Sequence, residues 1–286
     1  MSDAHDNPTD PSTNSVISTE VQRQNVVIST GTQRSGETPV LTALHTGTIS
    51  NYTPARLSLG TTTESLSTHE HLRFQLDHAL ARDAVHAELD IALLTRGFAD
   101  RNLQTLTLHS AVQQGRREYL RRPDLGRKLD TPTRNLLQQL HQPPPDILFI
   151  IADGLSSLAI ERHALPVIDA IIATLAEPTI APICLVTQGR VAIGDEIGEL
   201  LSAKLVVLLI GERPGLSSAD SLGVYLTWNP HTGRTDAERN CISNIRTEGL
   251  GYAEAAQRIV SLIQGARTLQ ATGVSLKDPS NNRVLP

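Results

Sequence analysis

Ile147-Leu148-Phe149-Ile150-Ile151-Ala152-Asp153-Gly154 decides the fold. An unbroken apolar run that stops at a polar, glycine-bearing turn is what a strand buried on both faces requires, and parallel strands are buried in this way. The pattern recurs downstream. Ile183-Cys184-Leu185-Val186 runs into Gln188-Gly189-Arg190-Val191, and Leu205-Val206-Val207-Leu208-Leu209-Ile210 runs into Gly211-Glu212-Arg213-Pro214-Gly215. Leu222 to Trp228 reads as a fourth strand.

Between the strands the apolar period changes to that of a helix. Leu158, Leu165, Ile168, Ile172 and Leu175 form one stripe, which Pro166 is expected to divide into a short turn and a longer helix. Asp195 to Ser202 is a short helix. Tyr252 to Leu269 is amphipathic, with Tyr252, Ala256, Ile259, Ile263 and Ala266 spaced to face a sheet. Strands alternating with helices give an α/β fold: an open, mostly parallel, Rossmann-like sheet with flanking helices. Such sheets bind ligands beyond the carboxyl ends of their strands. That edge is occupied here by Asp153-Gly154-Leu155-Ser156, Gln188-Gly189-Arg190-Val191 and Gly211-Glu212-Arg213-Pro214-Gly215. Glycines there expose backbone donors and leave room for close approach.

Upstream, residues 67 to about 141 read as helical. Thr68 is a candidate cap, and Leu72, Leu76, Ala79, Leu80 and Val85 follow at helical spacing. Arg122-Pro123-Asp124-Leu125-Gly126 is a turn that starts another helix, ending near Leu140. Gln142-Pro143-Pro144-Pro145 is a stiff connector. Residues 1–48 are rich in Ser, Thr, Asn, Asp, Gln and Pro, and are expected to be a disordered tail. The division is then a tail at 1–48, a helical N-terminal domain at 49–142, an α/β ligand-binding domain at 146–276 and a C-terminal tail at 277–286.

Composition narrows the function. The 286 residues are 39% hydrophobic, enough for a core, but only 3% aromatic, so aliphatic residues must fill it. A net charge of -5 excludes the strong positive field of a nucleic-acid binder. Two cysteines, Cys184 and Cys241, are too few for a disulfide framework, which points to the cytoplasm. No apolar run reaches the roughly 18 residues of a membrane span. There is no phosphate-loop motif and no G-x-G-x-x-G after the first strand. Gly154-Leu155-Ser156-Ser157-Leu158 lacks the second glycine of a nucleophile elbow, and His69-Glu70-His71 is followed by Arg73 rather than a zinc-binding His. No catalytic set and no metal site is complete.

Gly189-Arg190-Val191, Asp195-Glu196-Ile197-Gly198-Glu199, Gly211-Glu212-Arg213-Pro214-Gly215-Leu216 and Arg239-Asn240-Cys241-Ile242-Ser243-Asn244-Ile245 occur in an order and spacing that resemble the small subunit of ethanolamine ammonia-lyase. Tyr119 to Arg127, Ala152 to Ser156, Leu72-Arg73-Phe74 and Asp77-His78 extend the resemblance, which covers roughly residues 53–276. It implies an enzyme that converts ethanolamine to acetaldehyde and ammonia with adenosylcobalamin. A large barrel subunit would bind ethanolamine for the most part and carry most of the catalytic side chains, and the small subunit would hold cobalamin against it, inactive alone. By the same resemblance the cobalamin contacts fall on Val191, Glu212 and Cys241. Several large–small pairs would form a closed hetero-oligomer in the cytoplasm, with a bacterial microcompartment left open. Asp3-Ala4-His5-Asp6-Asn7-Pro8 is the nearest approach to D-x-H-x-x-G and ends in proline, so cobalamin is expected to keep its own base on cobalt. Gly60-Thr61-Thr62-Thr63-Glu64 stands where the family carries a basic loop.

Blander readings stand beside these. Glu212 and Arg213 also read as an exposed ion pair, Cys241 as a small core residue and Asp153 as the cap of the next helix. Asp195 and Glu199 read as a solvated helix face, and Arg116-Arg117 with Arg121-Arg122 as a solvated or subunit-facing cluster. A free-standing nucleotide- or flavin-binding α/β enzyme, or a non-catalytic scaffold, are the alternative functions.

Overall fold

The apolar runs assemble as the core of one sheet. The computed structural model describes residues 67–175 and 181–277. In chain order these form α1 (Thr68–His86), α2 (Ile91–Ala99), β1 (Thr105–His109), α3 (Arg116–Arg121), α4 (Thr131–Gln139), β2 (Ile147–Ala152), α5 (Ser157–Thr174), β3 (Ile183–Thr187), α6 (Ile193–Leu200), β4 (Leu205–Gly211), β5 (Leu222–Trp228), β6 (Arg239–Ile245) and α7 (Tyr252–Leu269). The six strands lie in the order β1-β3-β2-β4-β5-β6.

The first four are parallel: β1 pairs with β3, β3 with β2 and β2 with β4. The sheet is nonetheless mixed rather than mostly parallel, because β5 is antiparallel to both β4 and β6. The cause is the connection. Parallel neighbours need a crossover of a dozen residues or more, whereas residues 212–221 between β4 and β5 contain no helix and simply turn the chain back.

Successive side chains of β2 and β4 point to opposite faces and build two cores. Phe149, Ile151, Val207 and Leu209 pack with α2, α5 and α7. Leu148, Ile150, Val206 and Leu208 pack with α4 and α6. Burial of both faces explains why the decisive runs are continuous rather than alternating.

Several elements differ from what their local sequence predicts. The stretch read as helical to residue 141 contains β1, which joins β3 by parallel pairing. α5 runs through Pro166 as one element, although proline cannot donate to the Arg162 carbonyl. The cap of α1 is Ser67, whose side chain accepts from Glu70 N–H, and not Thr68. Most telling is the orientation of α1. Its buried residue is Ala84, while Leu72, Leu76 and Leu80 are 58%, 60% and 53% exposed. The tails expected at 1–48 and 277–286, the Gly60–Glu64 loop and the Asp3–Pro8 stretch lie outside the described residues, Lys277 excepted. No described helix is long and apolar enough to cross a membrane.

Candidate functional site

β2, β3 and β4 are parallel, so their carboxyl ends open on one rim and their three turns meet there. The meeting of the first and third turns depends on two glycines. Gly154 has φ +56°, and a Cβ on it would stand 2.2 Å from the Gly211 carbonyl oxygen. That carbonyl accepts the Leu155 N–H at 2.9 Å. Backbones can approach so closely only without side chains.

The second turn is clamped by side chains. Asp153 Oδ1 accepts the Gly189 N–H at 3.1 Å, and the Tyr119 hydroxyl donates to the Gly189 carbonyl at 2.8 Å. Arg190 N–H donates to the Gly126 carbonyl at 2.7 Å, which docks the turn on the loop after α3. The guanidinium groups of Arg116 and Arg190 lie 4.7 and 4.2 Å from the centroid of the Tyr119 ring, within cation–π range. Burial raises the Tyr119 phenol above its ordinary range, so it stays neutral as a donor.

Two adjoining cavities open on this rim. One, of about 310 Å³, is lined by Tyr119, Gly154, Val191, Gly211, Glu212 and Tyr225, among others. The second, of about 470 Å³, shares Arg190, Val191 and Tyr225 and adds a basic wall of Arg127, Arg234 and Arg239. Val191 and Glu212 thus meet in one cavity. Cys241 sits one strand away, opposite Tyr225 in the β5–β6 register, and it is exposed rather than a core residue. The other thiol, Cys184, is the core cysteine, and burial pushes it up to about 12.

Glu212 does not pair with Arg213. Its Oε2 accepts from Ser221 Oγ and from Asn244 N–H, the latter at 3.2 Å. Its Oε1 has no hydrogen bond among the described residues. Asp153 does not cap α5; Ser156 does, accepting from Ala159 N–H. Arg116 is buried against Asp153, unlike its exposed neighbour Arg117. Asp195 is no solvated group either, since it makes a two-pronged buried ion pair with Arg239, at 2.5 and 2.7 Å. Glu199 is exposed and accepts from Thr232.

Tyr119, Tyr225 and Arg116 were not singled out as site residues by sequence. Tyr119 and Arg116 stand within or beside a motif that carried the resemblance, which is the one signal that could have found them. A third cavity, of about 490 Å³, is lined by Arg162, His163, Asp220, Arg246 and Tyr252 and shares no residue with the other two.

The turns that follow β2, β3 and β4 thus meet around an open cavity at the carboxyl edge of an α/β sheet. Residues 45–277 match the ethanolamine ammonia-lyase light chain (EutC) family. Proteins named ethanolamine ammonia-lyase small subunit are similar throughout this region. That of Pseudomonas fluorescens (strain Pf0-1) is 52% identical over 238 residues, covering 82% of this chain and 86% of its own. Those of Pseudomonas aeruginosa (strain LESB58) and Ralstonia nicotianae are each 50% identical over 238 residues, covering 82% of this chain and 87% and 88% of theirs. The chain belongs to the ethanolamine ammonia-lyase light chain family, and it is an ammonia-lyase subunit.

Proposed function

We propose that the chain is the small subunit of an adenosylcobalamin-dependent ethanolamine ammonia-lyase, holding cobalamin against a catalytic large subunit while ethanolamine becomes acetaldehyde and ammonia. The observation that carries this reading is the convergence of the turns after β2, β3 and β4 on one open cavity between Tyr119 and Tyr225.

The residues present suit the cofactor. Cobalamin is a broad macrocycle fringed with amide groups, which donate and accept hydrogen bonds around an apolar face. The rim offers a charged acceptor with an open oxygen in Glu212 and an apolar surface in Val191. It also offers a guanidinium donor, Arg190 Nε, that lacks a partner among the described residues. Buried donors are rarely left unsatisfied, and a ligand acceptor would answer this one. Cys241 presents a small, soft surface beside Tyr225. When bound, adenosylcobalamin supplies the radical chemistry. This chain's residues bind it, orient it and exclude water, while ethanolamine is bound mainly by the large subunit.

The leucines of α1 support a large partner chain. A monomer rarely turns its large aliphatic residues outward along one helix and its small ones inward. Leu76→Glu is expected to change the stability of the isolated chain by less than about 0.5 kcal/mol. It should weaken assembly with the large subunit at least about tenfold, or about 1.4 kcal/mol, measured by titration calorimetry. Undiminished assembly would remove α1 from the interface. Several such pairs would close into a ring-like assembly in the cytoplasm.

Glu212→Ala is expected to weaken cobalamin retention by the assembled complex about tenfold, or about 1.4 kcal/mol, and to leave the fold intact. Equilibrium dialysis measures this; unaltered affinity would take Glu212 out of the site. The reading as a whole is tested by reconstitution. The chain alone should turn over no ethanolamine, and should do so with the large subunit and adenosylcobalamin together. Tight flavin or nucleotide binding by the isolated chain, with no turnover by the pair, would instead support a free-standing α/β enzyme.

A further inference from the structure

Asp153 stands at the end of β2 with 3% of its surface exposed. Both carboxylate oxygens are used. Oδ1 takes the Gly189 N–H, and Oδ2 faces Arg116 Nη1 at 3.0 Å. Arg116 is itself anchored, its Nε donating to the Val85 carbonyl at 2.7 Å. No helix needs Asp153 as a cap, because Ser156 fills that role. A buried ion pair adds little to stability over an apolar pair of the same size, so its presence beside a cavity calls for another reason. Its geometry supplies one. Gly189 is clamped from both sides, by Asp153 on its N–H and by Tyr119 on its carbonyl, and the next two residues, Arg190 and Val191, line the cavity.

We propose that Asp153 is a positioning residue for the cofactor: as a carboxylate held by Arg116 it fixes the Gly189 turn, presents Arg190 and Val191 to cobalamin, and makes cobalamin retention depend on its ionisation. This rests on the cobalamin reading above.

The groups that face Asp153 are Arg116 and Tyr119 from α3 and the backbone N–H groups of Gly154, Gln188 and Gly189. Burial raises its carboxyl to about 6, against the opposing pull of Arg116 and those N–H groups. The group therefore changes charge in mildly acidic solution. The two consequences have opposite signs. For folding, a carboxyl raised above its ordinary value is best tolerated when protonated, so its contribution to stability falls as pH rises toward 6. For the turn, only the carboxylate accepts from Gly189 and Arg116 together, so the clamp loosens as pH falls below 6. The chain keeps a charge that folding disfavours at the place where a ligand would use it.

The test is the adenosylcobalamin dissociation constant of the assembled large–small complex, measured by equilibrium dialysis between pH 5 and 8. The wild-type constant is expected to rise about tenfold across the fall from pH 7.5 to 5. Asp153→Asn should bind about tenfold more weakly at pH 7.5, with little further change at pH 5. Arg116→Gln, which removes the cation that favours ionisation, should move the midpoint of the wild-type profile upward by roughly one unit. If Asp153→Asn does not assemble, the midpoint of Arg116→Gln decides. A wild-type profile in Asp153→Asn, or an unmoved midpoint in Arg116→Gln, overturns the inference and leaves the cobalamin reading standing. No adenosylcobalamin binding by the wild-type complex at any pH overturns the reading itself.

Discussion

Gly211→Ala is expected to destabilise the chain by about 2–3 kcal/mol and to abolish cofactor retention by the complex, since a forced atom in a packed core costs about this much even when the surroundings relax. The new Cβ would stand 2.0 Å from the Ser156 carbonyl oxygen and 2.6 Å from that of Asp153. Both are backbone atoms, so no side chain can swing aside. Ser156 caps α5 and Asp153 holds the second turn, so moving either disturbs what the rim is built from. Gly251, with open space where its Cβ would go, makes the comparison: Gly251→Ala should cost less than about 1 kcal/mol, the scale of an N-cap effect. Urea denaturation of both variants measures the difference. Equal stabilities would mean that the turns after β2 and β4 are not in contact as described.

Arg239→Met is expected to cost about 3–5 kcal/mol at neutral pH, the penalty for leaving a buried charge without its partner. Asp195 is 2% exposed, and its carboxylate is held by both prongs of the Arg239 guanidinium. Burial already raises the Asp195 carboxyl even with Arg239 beside it. Without the cation it rises further, so the folded variant takes up a proton that the unfolded chain does not hold. Its deficit should accordingly shrink as the pH is lowered toward 5. Asp195→Asn added to Arg239→Met should recover part of the loss at neutral pH, because the orphaned charge is gone. Denaturant titrations at the two pH values check both points. A deficit below about 1 kcal/mol, or one that grows on acidification, would contradict the pairing.

The elements legible in the sequence are those whose pattern burial dictates, on both faces for β2, β3 and β4 and along one stripe for α7: Tyr252–Leu269 has the bounds expected of it, and Ala256, Ile259, Ile263 and Ala266 are buried as their spacing requires. The three turns were legible because each interrupts such a run. The edges were not. Thr105-Leu106-Thr107-Leu108-His109 alternates over only five residues, between two helical stretches, and has just β3 as a neighbour. β6 lies at the other edge, with only three of its seven residues buried, and its sequence was legible as a family motif but not as a strand.

Pairing at a distance was equally invisible. Arg116 and Asp153 are 37 residues apart, and Asp195 and Arg239 are 44 apart. Nothing local to Asp195 or Arg116 separates a buried ion pair from a solvated face. α1 misleads for a different reason. Its leucines have the spacing of a core stripe, but the other described residues do not bury them.

Hydrogen exchange of the assembled large–small complex, with and without adenosylcobalamin, tests the central claim most directly. Slower exchange on cofactor addition is expected in the turns at 188–191 and 211–215 and along β6. Unchanged exchange in all three, with protection confined to the cavity around His163 and Tyr252 or to the large subunit, would contradict the account.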